Sequence, residues 1–548
     1  MLIVALLWLA QSAHSLTSST AIDGEPFPSL IEAGVDDLRD GLKSGLFTSV
    51  DLVNAYIARI LEVNSTLKMV TQINPDALSI AAKLDAARAK GCSHGPLHGI
   101  PILLKDNIAT NDKMENTAGS YALLGAKVPE DSTVAAKLRR AGAIILGKTN
   151  LSQWANYRST NSTNGWSSIG GQTEGAYTYQ QDPSGSSSGS GVASSLGLAL
   201  ASLGTETDGS ILSPSSSNNL VGIKPTVGLT SRYLVVPISE HQDTVGPMAR
   251  TVKDAAYILA AIAGQDAKDN YTSAIPFKKT PDYVAACNMS ALKGKRIGVP
   301  RNMIDPNIPQ LNPMLPDFNA ALDVLRDAGA TIVDNISLPG FEPVYQGGYE
   351  SIVLMSDFVT DLYKLYFSKL TVNPHNITSL AELRDFTQSH PLEEWPYRNT
   401  DTWETALNTT AHGNESPEFW GNYTAQLYYA GHLGITGALK NHSLDALVLP
   451  TARASGLAAM IGSPVLTVPL GKYPADTPVT RNQLGTLVTT APNVPFGISF
   501  LGKHFSEEKL IGMAYAFEQR TLVRNTITLY KQPTTELADV VNKRKQLS

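Results

Sequence analysis

Ile100-Pro101-Ile102-Leu103-Leu104 contains no polar side chain and runs straight into Lys105. A short aliphatic run of this kind reads as a strand buried on both faces. Ser132 to Ala141 then shows helical spacing, and Ala143-Ile144-Ile145-Leu146 is a second buried strand. Strand, helix, strand in that order, with strands apolar on both sides, restricts the chain to an α/β sheet covered by helices on both faces. The spacing elsewhere agrees. Thr48 and Asp51 form a capping box ahead of a helix over Leu52 to Val63. Helices are expected over Pro75 to Ala89, Pro313 to Ala328, and from Ser506 to Arg520 as the last. Further strands read at Lys295 to Val299, Ala446 to Pro450, Val465 to Leu470 and Phe496 to Phe500. Pro464 and Pro469 put the Val465 strand at an edge or an irregularity. A length of 548 residues suggests several domains. No repeat or linker divides the chain, so one large domain is expected.

Leu2 to Ala10 is an apolar stretch of signal-peptide length, too short to span a bilayer, and Ala13 and Ser15 place small residues at a cleavage site. Residues 1–15 are therefore expected to be an export signal, and the mature protein to be secreted. Eleven Asn-X-Ser/Thr sequons support that reading, against about five expected from the Asn, Ser and Thr content. Candidates for glycosylation are Asn64, Asn270, Asn288, Asn335, Asn376, Asn408, Asn414, Asn422 and Asn441. The sequons at Asn150 and Asn161 fall beside segments expected near the core, and Asn150 is expected bare. No later apolar run reaches membrane-span length. The net charge of −6 lacks the basic footprint of a nucleic-acid binder. Cys92 and Cys287 could pair after export or stay free; their spacing does not decide. No residue pattern sets an oligomeric state.

The chemistry-bearing residues begin with Lys105. A lysine at the end of a buried strand is either desolvated, with a lowered pKa, or paired with Asp106. Residues 159 to 219 are loaded with Gly and Ser and almost free of Lys and Arg. Within them Val192 to Leu203 has helical length and small apolar side chains. It joins Gly185-Ser186-Ser187-Ser188-Gly189-Ser190-Gly191 to Gly204-Thr205-Glu206-Thr207-Asp208-Gly209-Ser210. Gly209 before Ser210 lets a loop turn successive backbone N–H groups toward one point, as an oxyanion hole requires. Both loops read equally as caps of a core helix. Other matches are weaker. Gly185 to Gly189 fits G-x-S-x-G, but no apolar strand precedes it. His94 and His98 have i, i+4 spacing, broken by Gly95 and Pro96.

Taken with Lys148 to Ser152, Asn219 to Thr226, Gly246 to Arg250 and Pro464 to Pro469, these segments resemble the amidase signature family across nearly the whole mature chain. The resemblance implies a single domain over residues 16–548 with a mixed central sheet. It implies a Ser–cis-Ser–Lys triad of Ser210 as nucleophile, Ser186 as bridge and Lys105 as base. The backbone N–H groups of Thr207, Asp208, Gly209 and Ser210 would form the oxyanion hole. Ser186 is chosen over Ser187 as the first serine after Gly185. Such a triad needs no metal or cofactor, and its substrate would be a small-molecule or peptide amide. Gly204 to Ile211 and Trp154 to Arg158 resemble the peptide-amidase branch and its fungal relatives. Leu212 stands where many members carry arginine, which speaks against the transamidating branch, the tRNA amidotransferase A subunit. An inactive binding protein on the same scaffold is the remaining alternative, and the presence of all three triad residues argues against it.

Overall fold

The computed structural model describes residues 27–547, so the expected export segment lies outside them. Eleven strands form one sheet. In chain order they are β1 (Val70–Ile73), β2 (Pro101–Lys105), β3 (Ile144–Thr149), β4 (Ala201–Glu206), β5 (Val221–Lys224), β6 (Thr244–Ala249), β7 (Arg296–Pro300), β8 (Thr331–Ile336), β9 (Ala446–Pro450), β10 (Val465–Lys472) and β11 (Pro495–Leu501). Their order across the sheet is β1-β3-β2-β4-β6-β5-β10-β11-β9-β7-β8. The sheet is mixed. β2 runs parallel to both β3 and β4, whereas β4–β6, β6–β5, β5–β10 and β10–β11 are antiparallel. Every residue of β2, β3, β4, β5, β6, β9 and β11 is buried. Only a sheet covered on both faces buries consecutive residues in this way.

Single helices match their sequence signals closely. Thr48 and Asp51 bond reciprocally, with Asp51 N–H donating to Thr48 Oγ1 at 3.1 Å and Thr48 N–H to Asp51 Oδ2 at 2.9 Å. The helix that follows runs Ser49–Leu67. Helices Ala77–Ala89, Thr133–Arg140 and Leu315–Asp327 lie within two residues of expectation.

Two expectations are corrected and a third is narrowed. Val192 to Leu203 is not one helix: Ser188–Ser195 is helical, and β4 begins at Ala201. Gly197, at φ +59°, turns the chain between them, and a Cβ there would lie 2.5 Å from the Leu30 carbonyl oxygen. Small apolar residues buried on all sides carry no periodicity that separates helix from strand. Of the two positions expected for the Pro469 strand the irregular one holds: β10 lies between β5 and β11, and its ladder to β11 shifts register between Pro469 and Gly471. Glu507–Thr521 is not the last helix, as Leu537–Leu547 follows and packs on Ser49–Leu67.

The polar middle of the chain is largely helical, including Phe341–Gly347, Tyr349–Asp361, Leu380–Ser389, Asp401–Thr409 and Pro417–Gln426. It builds a smaller core of its own around Phe358, Leu383 and Trp403, into which Trp154 and Leu234 insert. Among the described residues no helix is long and apolar enough to cross a membrane. Cys92 and Cys287 are both free. Asn150 is buried, its amide donating to the carbonyl oxygens of Gly165 and Gly171 and to Thr173 Oγ1. Asn414 is corrected as a glycosylation candidate: its amide is buried and donates to Asp357 at 2.9 Å and to Asp361 and Glu240 at 3.3 Å, leaving no path for a sugar.

Candidate active site

β2 and β4 are neighbouring parallel strands, so their C-terminal ends open at the same edge of the sheet. Crevices at this edge are where open α/β sheets place their ligands. Lys105 closes β2 and is completely buried. Its ammonium nitrogen lies 2.7 Å from Ser186 Oγ, 2.8 Å from Thr205 Oγ1 and 3.2 Å from the Thr205 carbonyl oxygen. Burial pulls its pKa down from 10.5 to about 7, against the opposing pull of the Asp243 and Glu206 carboxylates. Asp106 is not its partner. That carboxylate turns to Thr117 Oγ1 and accepts from the Gly119 N–H at 3.2 Å.

Ser186 follows a cis peptide bond to Gly185. Its carbonyl accepts from the Ser152 N–H at 3.0 Å, which ties it to the segment that leaves β3. Ser187 points elsewhere, its Oγ donating to the Thr205 carbonyl at 3.1 Å. The helix that starts at Ser188 needs small residues, because a Cβ on Gly189 would lie 2.4 Å from the Met69 carbonyl oxygen and 2.5 Å from that of Asn150. Glycine and serine here allow backbone to press against backbone.

Ser210 sits on the loop after β4 and is 8% exposed, beside the wholly buried Ser186. The Ser187 N–H donates to the Ser210 carbonyl at 3.2 Å, which joins the two serine loops. Among the described residues Ser210 Oγ has no hydrogen-bond partner, and the N–H groups of Thr207, Asp208, Gly209 and Ser210 donate to no protein acceptor. Gly209 holds φ at +80°, the left-handed turn that curls this loop. Glu206 fixes its far end: Oε2 accepts from the N–H groups of Ile211 at 2.7 Å and Leu212 at 2.9 Å. Thr207 Oγ1 donates to Asp243 Oδ1 at 2.6 Å and fixes the near end. Four unpaired N–H donors on a loop anchored at both ends suit a developing oxyanion.

Two more buried lysines stand around the site. Lys148 donates to Asn116 Oδ1 at 2.9 Å and to the Ile108 carbonyl, bracing the loop that leaves Lys105. Lys224 donates to the Ser463 carbonyl at 2.8 Å and lies in the field of Glu206 and Glu507. Burial lowers both to about 8. At the mouth, the polar middle segment closes in. Tyr345 leans over Gly456, where a Cβ would come 2.1 Å from its hydroxyl. Glu350 receives the Gln242 amide at 2.9 Å, and burial together with the Asp208 charge raises it to about 8. Arg158 and Glu393 form a buried ion pair at 3.0 Å that clamps this segment to the loop after β3.

The structure thus brings Lys105 and Ser186 into contact and sets the Ser210 loop beside them. Sequence reasoning did not pick out Thr205, Asn107, Asp243, Lys148 or Lys224 as site groups. Lys148 and Lys224 were visible as lysines in otherwise apolar strands. Asp243 carries no local signal at all.

The chain belongs to the amidase family, whose profile matches residues 51–511, and it is an amide-hydrolysing enzyme. Its more particular likeness is to peptide amidase. The solved peptide amidase from Stenotrophomonas maltophilia superposes with a TM-score of 0.82 at 40% identity, over 93% of this chain and 100% of that one. A peptide amidase in complex with the competitive inhibitor chymostatin gives 0.82 and 39%, over 92% and 99%. A relative from Arthroderma benhamiae, whose name assigns it as an amidase, is 54% identical over 94% of this chain and 90% of its own length.

Proposed function

We propose that this protein is a secreted amidase that cleaves small carboxamides or peptide amides through an acyl-enzyme on Ser210, with Ser186 as proton relay and Lys105 as base. The observation that carries the reading is a buried lysine, lowered to about 7, in 2.7 Å contact with a serine whose neighbour Ser187 binds the loop of the free Ser210 hydroxyl. Serine attacks an amide only when a base takes its proton. A lysine at its ordinary pKa would be neutral in roughly one molecule in a few thousand at pH 7, whereas here about half are neutral.

Neutral Lys105 takes the Ser186 proton while Ser186 takes that of Ser210. Ser210 Oγ bonds to the carbonyl carbon, and the carbonyl π electrons move to oxygen, toward the N–H groups of Thr207, Asp208, Gly209 and Ser210. Collapse breaks the C–N bond, and the proton returns through Ser186 to the leaving nitrogen. Water, deprotonated by the same route, then attacks the acyl carbon and frees the acid and Ser210. The peptide-amide option is supported by the likeness to peptide amidase and by the absence of an arginine at Leu212. Export is supported by Leu2 to Ala10 and by the sequon excess.

A serine-directed fluorophosphonate should label Ser210, and a screen of peptide amides, aryl amides and fatty amides with ammonia or amine detection should find turnover. Absence of labelling together with turnover that survives Ser210→Ala would overturn the mechanism.

A further inference from the structure

Next to Thr205, the hydrogen-bond partner of Lys105, lies a small cavity whose wall includes Asn107, Thr207, Thr244, Arg232 and Asp243 along with several aliphatic residues, with room for about one water. Two of its wall atoms, Asn107 Oδ1 and Thr244 Oγ1, are buried and have no protein partner. Unpaired polar atoms on the residues of a cavity with a mixed polar and apolar wall can take a water. Thr205 Oγ1 accepts from Lys105 Nζ at 2.8 Å and from Asn107 Nδ2 at 3.0 Å, so its own proton is free for that water. Arg232, Val235 and Asp243 also line a larger pocket of about 220 Å³ on the outer side.

Asp243 is therefore part of the wall between the small cavity and the larger pocket. Its carboxylate is held by three donors: Thr207 Oγ1 at 2.6 Å, the Ile238 N–H at 2.7 Å and the Ser239 N–H at 3.1 Å. Thr207 is the first residue of the loop with the free N–H groups. Charged groups lie on both sides of Asp243. Arg232 sits beside it but is engaged by Asp269 at 2.8 Å through two nitrogens. Lys105 and Glu206 lie on the inner side, and Glu240, Lys364, Lys268 and Lys369 on the outer.

We propose that Asp243 is a positioning residue for the reaction: through Thr207 it holds the oxyanion loop, and from the wall of the small cavity its charge acts on the lysine side of the site. This rests on the roles proposed above for Lys105 and Ser210. The ionised carboxylate stabilises the ammonium and so raises the lysine's pKa. Burial raises Asp243 itself to about 6, just below the lysine. Both groups gain protons as pH falls below neutral, and a neutral Asp243 slackens its hold on Thr207.

The test is the rate of Ser210 phosphonylation by a fluorophosphonate between pH 5 and 9, which needs no knowledge of the substrate. In the unaltered enzyme the logarithm of the rate should fall below about pH 7 with a slope near one, because a neutral Asp243 loosens Thr207 but at the same time eases loss of the lysine proton. Asp243→Asn should be slower, with a slope of one and its midpoint moved down by about half to one pH unit. Thr207→Val keeps the charge and loses only the hydrogen bond; it should be about tenfold slower with its midpoint in place. A vertical drop in Asp243→Asn with an unchanged midpoint would overturn the proposal. So would a shift in Thr207→Val as large as that expected of the aspartate variant, and this second variant decides the matter if Asp243→Asn fails to fold. An unaltered enzyme that labels without any pH limb, or not at all, would instead overturn the underlying triad reading.

Discussion

Replacing Lys105 with methionine should abolish turnover and yet make the fold more stable at and below neutral pH. The lysine is wholly buried, and its folded pKa of about 7 stands against 10.5 for an unburied lysine. Between those values the unfolded chain holds the proton and the folded chain does not, so stability rises with pH by about 1.4 kcal/mol per unit. Below the folded value the folded protein carries the whole cost of a buried ammonium, about 5 kcal/mol. Methionine removes that cost at similar volume. It leaves Ser186 Oγ without its donor, while the Thr205 carbonyl keeps Ser187 Oγ and Thr205 Oγ1 keeps Asn107 Nδ2, and this takes back about 1–3 kcal/mol. The net gain at pH 6 is then about 2–4 kcal/mol, shrinking as pH rises. Lys148 and Lys224 are present in both proteins, so their titration drops out of the difference. Urea denaturation of the two proteins from pH 6 to 9.5 measures it. A stability gap that does not change with pH, or a variant less stable than its parent at pH 6, would refute the reasoning.

Ser210→Ala should lose several orders of magnitude in rate and all fluorophosphonate labelling while melting like its parent, because only the nucleophile is removed. Hydrolysis should rise with pH through a midpoint near 7 as Lys105 loses its proton, and Lys105→Ala should lose both most of the activity and that limb. Arg158→Met should cost about 3–5 kcal/mol in a denaturant melt, since it strands the buried Glu393 carboxylate; a loss below about 1 kcal/mol would show that the pair is dispensable. Intact-mass and glycopeptide analysis of the exported protein should find sugar on exposed sequons such as Asn270, Asn376 and Asn441 and none at Asn150 or Asn414.

Much of the scaffold was legible in the chain itself. Ala446–Pro450 is a strand to the residue, and Thr48 and Asp51 start their helix as a capping box, because short-range periodicity and capping act over a few residues. The Gly/Ser stretch signalled backbone pressed against backbone, and Gly189 shows why. The aliphatic run before Lys105 foretold its burial. It could not say whether Asp106 or a serine would meet the ammonium, since Ser186 is 81 residues away and Thr205 100. Tertiary structure alone decided that partner. It also decided that the residues from Ala201 form a strand, that Pro469 lies mid-sheet, and that Asp243 lines the cavity next to Thr205. Each depends on which strand pairs beside which, and pairing across a hundred residues is settled by packing of the whole sheet, which no local spacing encodes.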